Sequence, residues 1–121
     1  MTRRILVVDD SPTMRSIHSY YLRAAGYEAV EADNGFTALE AVGRSQCDLA
    51  LVDVNMPGMD GLTLVRHLRA DSRTRKMPVI LCSTLVKDAD RKAGAEAGAD
   101  AYITKPPDAA ALIAAIERFL V

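Results

Sequence analysis

Cysteine is scarce in this sequence: Cys47 and Cys82 are the only two in 121 residues, with no CxxC pair and no histidines at ligand spacing. That excludes a disulfide scaffold, and the expectation is two free, buried thiols in a reducing compartment. An excess of charge of one sign is also lacking, since 15 basic residues stand against 16 acidic ones for a net charge of −1. Such a balance offers no basic footprint for direct nucleic-acid binding and no electrostatic attraction to a membrane surface. Long hydrophobic runs are missing too, so no segment approaches the length of a membrane span. Two arginines within Met1 to Arg4 resemble the start of a signal peptide, but only four apolar residues follow before two acids. Linkers, low-complexity tracts and internal repeats are absent. What remains is a single domain over residues 1–121, expected in the cytoplasm, with no membrane insertion.

Short apolar runs alternate with longer stretches of helical period. Ile5 to Val8, Leu49 to Val52 and Val79 to Cys82 read as central strands covered on both faces. Glu28 to Ala32 alternates polar and apolar residues as an edge strand does, and Ala101 to Ile103 is the last strand. The first helix has Ser11 as N-cap, Pro12 at its first position, an apolar face of Met14, Ile17, Tyr21 and Ala24, and Gly26 as terminator. Further helices are predicted at about 35–45, 61–71 and 108–120, the last turning Leu112, Ile113, Ile116 and Phe119 inward. From Lys87 to Gly98 only alanines are available to face inward, and Gly94 costs about 1 kcal/mol relative to alanine. Five repeats of strand then helix call for an α/β fold, a five-stranded parallel sheet doubly wound by helices.

In such sheets the site lies at the carboxyl ends of the strands. The first strand ends at Asp9 and Asp10, the third at Asp53, the fourth at Ser83 and Thr84, and the fifth leads into Lys105. Two unit charges about 4 Å apart repel by roughly 4 kcal/mol at an effective dielectric near 20, so a cation is expected among these acids. Three carboxylates with no histidine or thiolate suit a hard cation with oxygen ligands, and Mg²⁺ fits a shallow site that keeps several waters. With the metal and one ammonium the charges cancel, leaving room for a dianionic phosphoryl group held by the metal and Lys105. Asp53, alone at the end of the central strand and followed by the loop VNMPGMDG, is the candidate nucleophile. Carboxylates form acyl phosphates, and such transfer needs mainly positioning and charge neutralisation.

The segments VVDDS, DLALVDVNMPGMDG, PVILCST and AYITKP, in that order and over essentially the whole chain, resemble the receiver domain of two-component response regulators. The short length resembles single-domain, CheY-like chemotaxis regulators. The resemblance implies a flavodoxin-like sheet of strand order 2-1-3-4-5. It implies that Asp53 is the phosphoacceptor, and that Asp9, Asp10, Asp53 and the main-chain carbonyl of Asn55 hold Mg²⁺, for which Mn²⁺ can substitute. Lys105 then pairs with the phosphoryl oxygens, Ser83 swings its hydroxyl onto them, and Tyr102 changes rotamer with it. The Lys105–Pro106 bond is commonly cis in this family. Three departures stand out. Thr84 replaces an alanine or glycine, which either tightens the path of Tyr102 or shares the hydroxyl role. Leu85 can shape water access to the phosphoryl group, and Pro107 replaces a bulky apolar residue.

The implied partners are a sensor histidine kinase or phosphotransfer protein upstream and a protein target downstream, reached through the face of the fourth helix, fifth strand and fifth helix. A monomer is expected, with dimerisation on phosphorylation left open. The only catalysis implied is of the protein's own phosphorylation and dephosphorylation. Rival readings are a receiver that binds partners without phosphorylation, a phosphate sink, and a small aspartyl-nucleophile phosphatase. The first is usually marked by a missing acceptor or lysine, whereas both are present; the last wants a DxD arrangement that DDSPT lacks. Flavin binding is disfavoured because an acidic first loop repels the cofactor's phosphate. His18 and His67 are expected on solvated helix faces, Arg73, Arg75 and Lys76 in a solvated connection, and Met14 in the core.

Overall fold

The computed structural model describes residues 2–85 and 87–120. Its strands are β1 (Arg4–Val8), β2 (Glu28–Ala32), β3 (Leu49–Asp53), β4 (Val79–Ser83) and β5 (Ala101–Thr104), and its helices α1 (Pro12–Ala24), α2 (Gly35–Arg44), α3 (Gly61–Ala70), α4 (Asp88–Ala97) and α5 (Ala109–Glu117). All neighbouring strands pair in parallel, in the order β2-β1-β3-β4-β5. The predicted topology and the edge position of β2 are therefore observed.

The central strands β1, β3 and β4 read as apolar runs because their residues are covered by helices on both faces of the sheet. Leu6, Val8, Ala50, Val52 and Leu81 pack under α2, α3 and α4, while Ile5, Val7, Leu51, Ile80 and Cys82 pack against α1 and α5. Register then fixes the rim. Val8 lies opposite Val52, so Asp9 and Asp53 follow side by side, and Ser83 lies opposite Thr104, just before Lys105. Asp53, Ser83 and Thr104 each extend a strand one residue beyond the expected end, because a polar side chain at the rim does not stop the backbone ladder.

The helix caps follow their sequence signals. Ser11 Oγ accepts the Met14 N–H at 3.3 Å, and Gly26 takes a left-handed φ of 95° just past α1. The buried face of α1 is different from the predicted one: it is His18, Ser19 and Leu22, while Ile17 is exposed and Met14 half-buried. The apolar stripe is rotated because His18, expected in solvent, is 1% exposed and packs inward one turn before Leu22. Burial lowers the His18 pKa below its ordinary value, with Asp9 acting to raise it and Lys105 to lower it, so the imidazole is held neutral. Its Nε2 makes no hydrogen bond among the described residues. His67 is exposed as expected. In α5, Leu112 and Ile116 are fully buried, whereas Ile113 and Phe119 are only half-buried. Both cysteines are free and buried. Arg73, Arg75 and Lys76 are exposed, with Arg73 paired to Asp71 at 3.0 Å. No helix is long and apolar enough to cross a membrane among the described residues.

Gly94 is more than a weak helix former. A Cβ there would stand 2.9 Å from Leu81 Cδ1 and 3.1 Å from the Tyr102 ring, so glycine is what lets α4 lie close to β4 and β5. The rest of α4 is lightly held, with Gly94 and Ala97 its only buried residues and, at its start, the Asp90 carboxylate accepting the Lys87 N–H at 3.2 Å. Its far end is pinned by Arg69, whose Nε donates to the Gly98 carbonyl at 2.9 Å and whose Nη2 pairs with Asp100 at 2.9 Å. Few buried apolar contacts mean low local stability. Amide hydrogen exchange is accordingly expected to be faster in α4 than in the other four helices; equal protection in all five contradicts this reading.

Candidate functional site at the carboxyl rim of the sheet

Asp9 leaves β1 braced on all sides. Its N–H donates to the Ala32 carbonyl at 3.2 Å, its Oδ1 accepts the Ser11 N–H at 2.9 Å, and its carbonyl accepts from Arg15 Nη1 at 2.7 Å. Asp10, the next residue, is exposed. Asp53 closes β3, and the loop after it returns tightly enough that a Cβ on Gly61 would collide with the Asp53 carbonyl. The Lys105 N–H donates to the Ser83 carbonyl at 2.9 Å, and the Lys105–Pro106 bond is cis, as expected. Lys105 Nζ then sits 2.8 Å from Asp9 Oδ2 and 3.4 Å from Asp53 Oδ1.

Carboxylate oxygens of Asp9, Asp10 and Asp53 all lie within 4.8 Å of one another. Beside them opens a cleft of about 370 Å³ lined by Asp10, Met14, Asp53, Asn55, Thr84, Lys105 and Pro106. Met14 is thus a wall of the cleft and not the core residue predicted. It starts α1 just after the acids, where the helix has not yet turned under the sheet.

The electrostatics bear the marks of crowding. Burial pushes the Asp53 pKa up to about 6, with the Asp9 charge adding to the rise and Lys105 opposing it. Burial alone would lower Lys105, but its contacts with Asp9 and Asp53 outweigh that and raise it, keeping the ammonium charged. Asp9 Oδ2 is buried and meets that ammonium without a well-directed hydrogen bond. Oxygen donors at this separation, one of them short of partners, fit a hard divalent cation. Cys82, opposite Asp53 in the ladder, is pushed up to about 12 by burial and offers no competing thiolate.

The two predicted switch residues meet at one peptide unit's neighbours. Buried Ser83 accepts the Leu85 N–H on its Oγ at 2.9 Å, and Tyr102 donates its phenol to the Leu85 carbonyl at 2.6 Å. Arg91 from α4 lies 5.3 Å over the Tyr102 ring and donates to the Tyr102 carbonyl at 3.1 Å. Thr84 is exposed and faces the cleft, while Pro107 is buried. Sequence reasoning found the residues that meet here but missed the clamp on Leu85 and the braces from Arg15 and Arg91. Only the Ser83 half of the clamp is local, two positions apart, whereas the Arg15, Arg91 and Tyr102 contacts reach across 6 to 17 positions of sequence and have no local signal.

A model of the response regulator receiver domain matches residues 5–117. The chain belongs to that family. It is 40% identical over 110 residues to the chemotaxis protein CheY-3 of Vibrio cholerae, covering 90% of this chain and 85% of that one. It is 38% identical over 120 residues to the phosphate regulon transcriptional regulatory protein PhoB of Escherichia coli, covering 99% of this chain but 52% of PhoB, so it spans about half the length of that relative. Among solved structures, Vibrio cholerae CheY4 superimposes with a TM-score of 0.95 at 30% identity, over 98% of this chain and 99% of the other. The receiver domain of the Pseudomonas aeruginosa sensor histidine kinase PA1611, solved with a magnesium ion coordinated in its active site cleft, gives 0.91 at 28% identity, over 99% and 98%.

A carboxyl whose folded pKa lies above its unfolded value binds more protons in the native state, so its contribution to stability is lost as pH rises from about 4 through about 6. At neutral pH the buried Asp53 charge therefore costs the metal-free fold on the order of 2 kcal/mol. Asp53→Asn is expected to raise the metal-free melting temperature near neutral pH by several degrees, the gain vanishing near pH 4. Melts in chelator check this, and an equal gain at both pH values, or none, contradicts it.

Proposed function

We propose that this protein is a phosphorylation switch of a two-component system, accepting a phosphoryl group on Asp53 from a histidine kinase or phosphotransfer protein and signalling by protein contact. The observation that carries the reading is the Lys105 ammonium set between Asp9 and Asp53 beside an open cleft, within an acidic triad. An Asp53 oxygen attacks phosphorus, a new P–O bond forms, the phosphohistidine P–N bond breaks, and the imidazole leaves. Asp9, Asp10, Asp53 and the Asn55 main-chain carbonyl are the groups that would hold Mg²⁺ or Mn²⁺, which supplies charge neutralisation at the phosphoryl oxygens. Lys105, already within 3.4 Å of the acceptor, pairs with a phosphoryl oxygen at little reorganisation cost. The protein's catalysis extends to its own phosphorylation and dephosphorylation and no further.

The readout follows from the clamp on Leu85. When Ser83 turns its hydroxyl to the phosphoryl group it releases the Leu85 N–H, and the loop that Tyr102 holds by the Leu85 carbonyl loosens with it. Each hydrogen bond and the Arg91–Tyr102 contact is worth about 1 kcal/mol. Their sum matches a typical coupling energy between two sites, about 1–3 kcal/mol. The lightly held α4 then shifts, altering the α4–β5–α5 face offered to a downstream target. The relatives are named for chemotaxis, phosphate regulation and gliding motility, so what they share is the switch and not an output.

Incubation with acetyl phosphate and Mg²⁺ is expected to add one phosphoryl mass to the intact protein, with acetate as leaving group. Asp53→Asn should abolish the adduct and Lys105→Met should slow its formation at least tenfold. No adduct with any small donor and metal would leave a phosphorylation-independent interaction module.

A further inference from the structure

We propose that Arg15 is a positioning residue for the divalent-cation site, acting through the Asp9–Asp10 peptide and balanced by Glu31; this rests on Asp9, Asp10 and Asp53 being the metal ligands. Among the acids, Asp9 is held at four points, whereas the Asp10 carboxylate accepts no hydrogen bond among the described residues. The direction of Asp10 is therefore set by its own backbone. Its N–H shares a rigid plane with the Asp9 carbonyl, and Arg15 is the side chain that holds that carbonyl, by a short charge-assisted bond of 2.7 Å.

The placement of Arg15 is not explained by the stability of α1. A cation immediately after the first helical turn opposes the positive end of the helix dipole. Nor does a bare guanidinium help a cation site, since its charge repels a divalent ion. Glu31 resolves this: its Oε1 lies 3.3 Å from Arg15 Nε, and its Oε2 lies 3.5 Å from Arg23. Arg15 thus contributes geometry with its charge partly offset by a carboxylate that it shares with Arg23. Glu31 also stands next to Ala32, whose carbonyl takes the Asp9 N–H, so the end of β2 holds the acidic loop through both its backbone and Glu31. One guanidinium meets the carbonyl through Nη1 and the carboxylate through Nε, in two fixed directions that a lysine ammonium cannot reproduce.

The test is Mg²⁺ titration of the full chain by calorimetry, with the Asp10 amide followed by NMR and the fold checked by melting in chelator. Arg15→Gln is expected to weaken Mg²⁺ about tenfold, the size typical of losing a group that orients a metal ligand, and to shift the metal-free Asp10 amide resonance. Arg15→Lys should recover only part of that loss. Glu31→Gln, which keeps the Asp9 bond but leaves the Arg15 charge unbalanced, should also weaken binding, and Arg15→Gln/Glu31→Gln should be no weaker than Arg15→Gln alone. Should Arg15→Gln not fold, Arg15→Lys and Glu31→Gln still decide the matter. Affinity unchanged or tighter in Arg15→Gln, full recovery with lysine, or additive losses in the double variant each overturn the proposal. Asp10→Asn separates the two levels: full Mg²⁺ binding in that variant removes the metal reading itself, whereas its loss there beside parent-like Arg15→Gln removes only the role of Arg15.

Discussion

Mutual repulsion among Asp9, Asp10 and Asp53, held in check by one ammonium, is the constraint on which the rest of this molecule depends. Parallel strands in fixed register deliver the acids to the same rim, and a core covered on both faces leaves the backbone no freedom to spread them. Asp53 bears the mark of it, its pKa raised first by burial and then by the Asp9 charge, while Asp10 is exposed to solvent. A fold that tolerates such a cluster does so by giving up stability at the rim where the proposed cation and phosphoryl sites lie. That trade is common at functional sites.

The surroundings of the rim divide into a stiff side and a soft side. At the β1–α1 end, Asp9 is tied through backbone, Ser11, Arg15 and Lys105, so its carboxylate is held in one place by the fold itself. At the β4–α4 end, two hydroxyls hold one residue's main chain, and the helix that follows buries little beyond a glycine and an alanine.

Most of this architecture was readable from the sequence because the strands carry an unusually plain signal. Ile5–Val8, Leu49–Val52 and Val79–Cys82 are apolar without interruption, and the polar residues that end each run are the site. Strand ends were misjudged by one residue for the same reason, as Asp53 and Ser83 still belong to the ladder. The face of α1 was misjudged because burial of a neutral imidazole at His18 leaves no hydropathic trace. Gly94 looked like a weakness because helix propensity is local, whereas the close approach of Leu81 and Tyr102 is tertiary. The Arg15, Arg69 and Tyr102 contacts were invisible on the same ground, depending on where long side chains reach across the fold.

The neighbour of Asp53 across the ladder carries one more consequence. Cys82 stays a protonated thiol at physiological pH, buried one strand away from Asp53. Peroxides and disulfide-forming reagents act on thiolates, so thiol oxidants find no handle at Cys82 while the sheet is closed. Alkylation of Cys82 becomes a clock for how often the sheet opens.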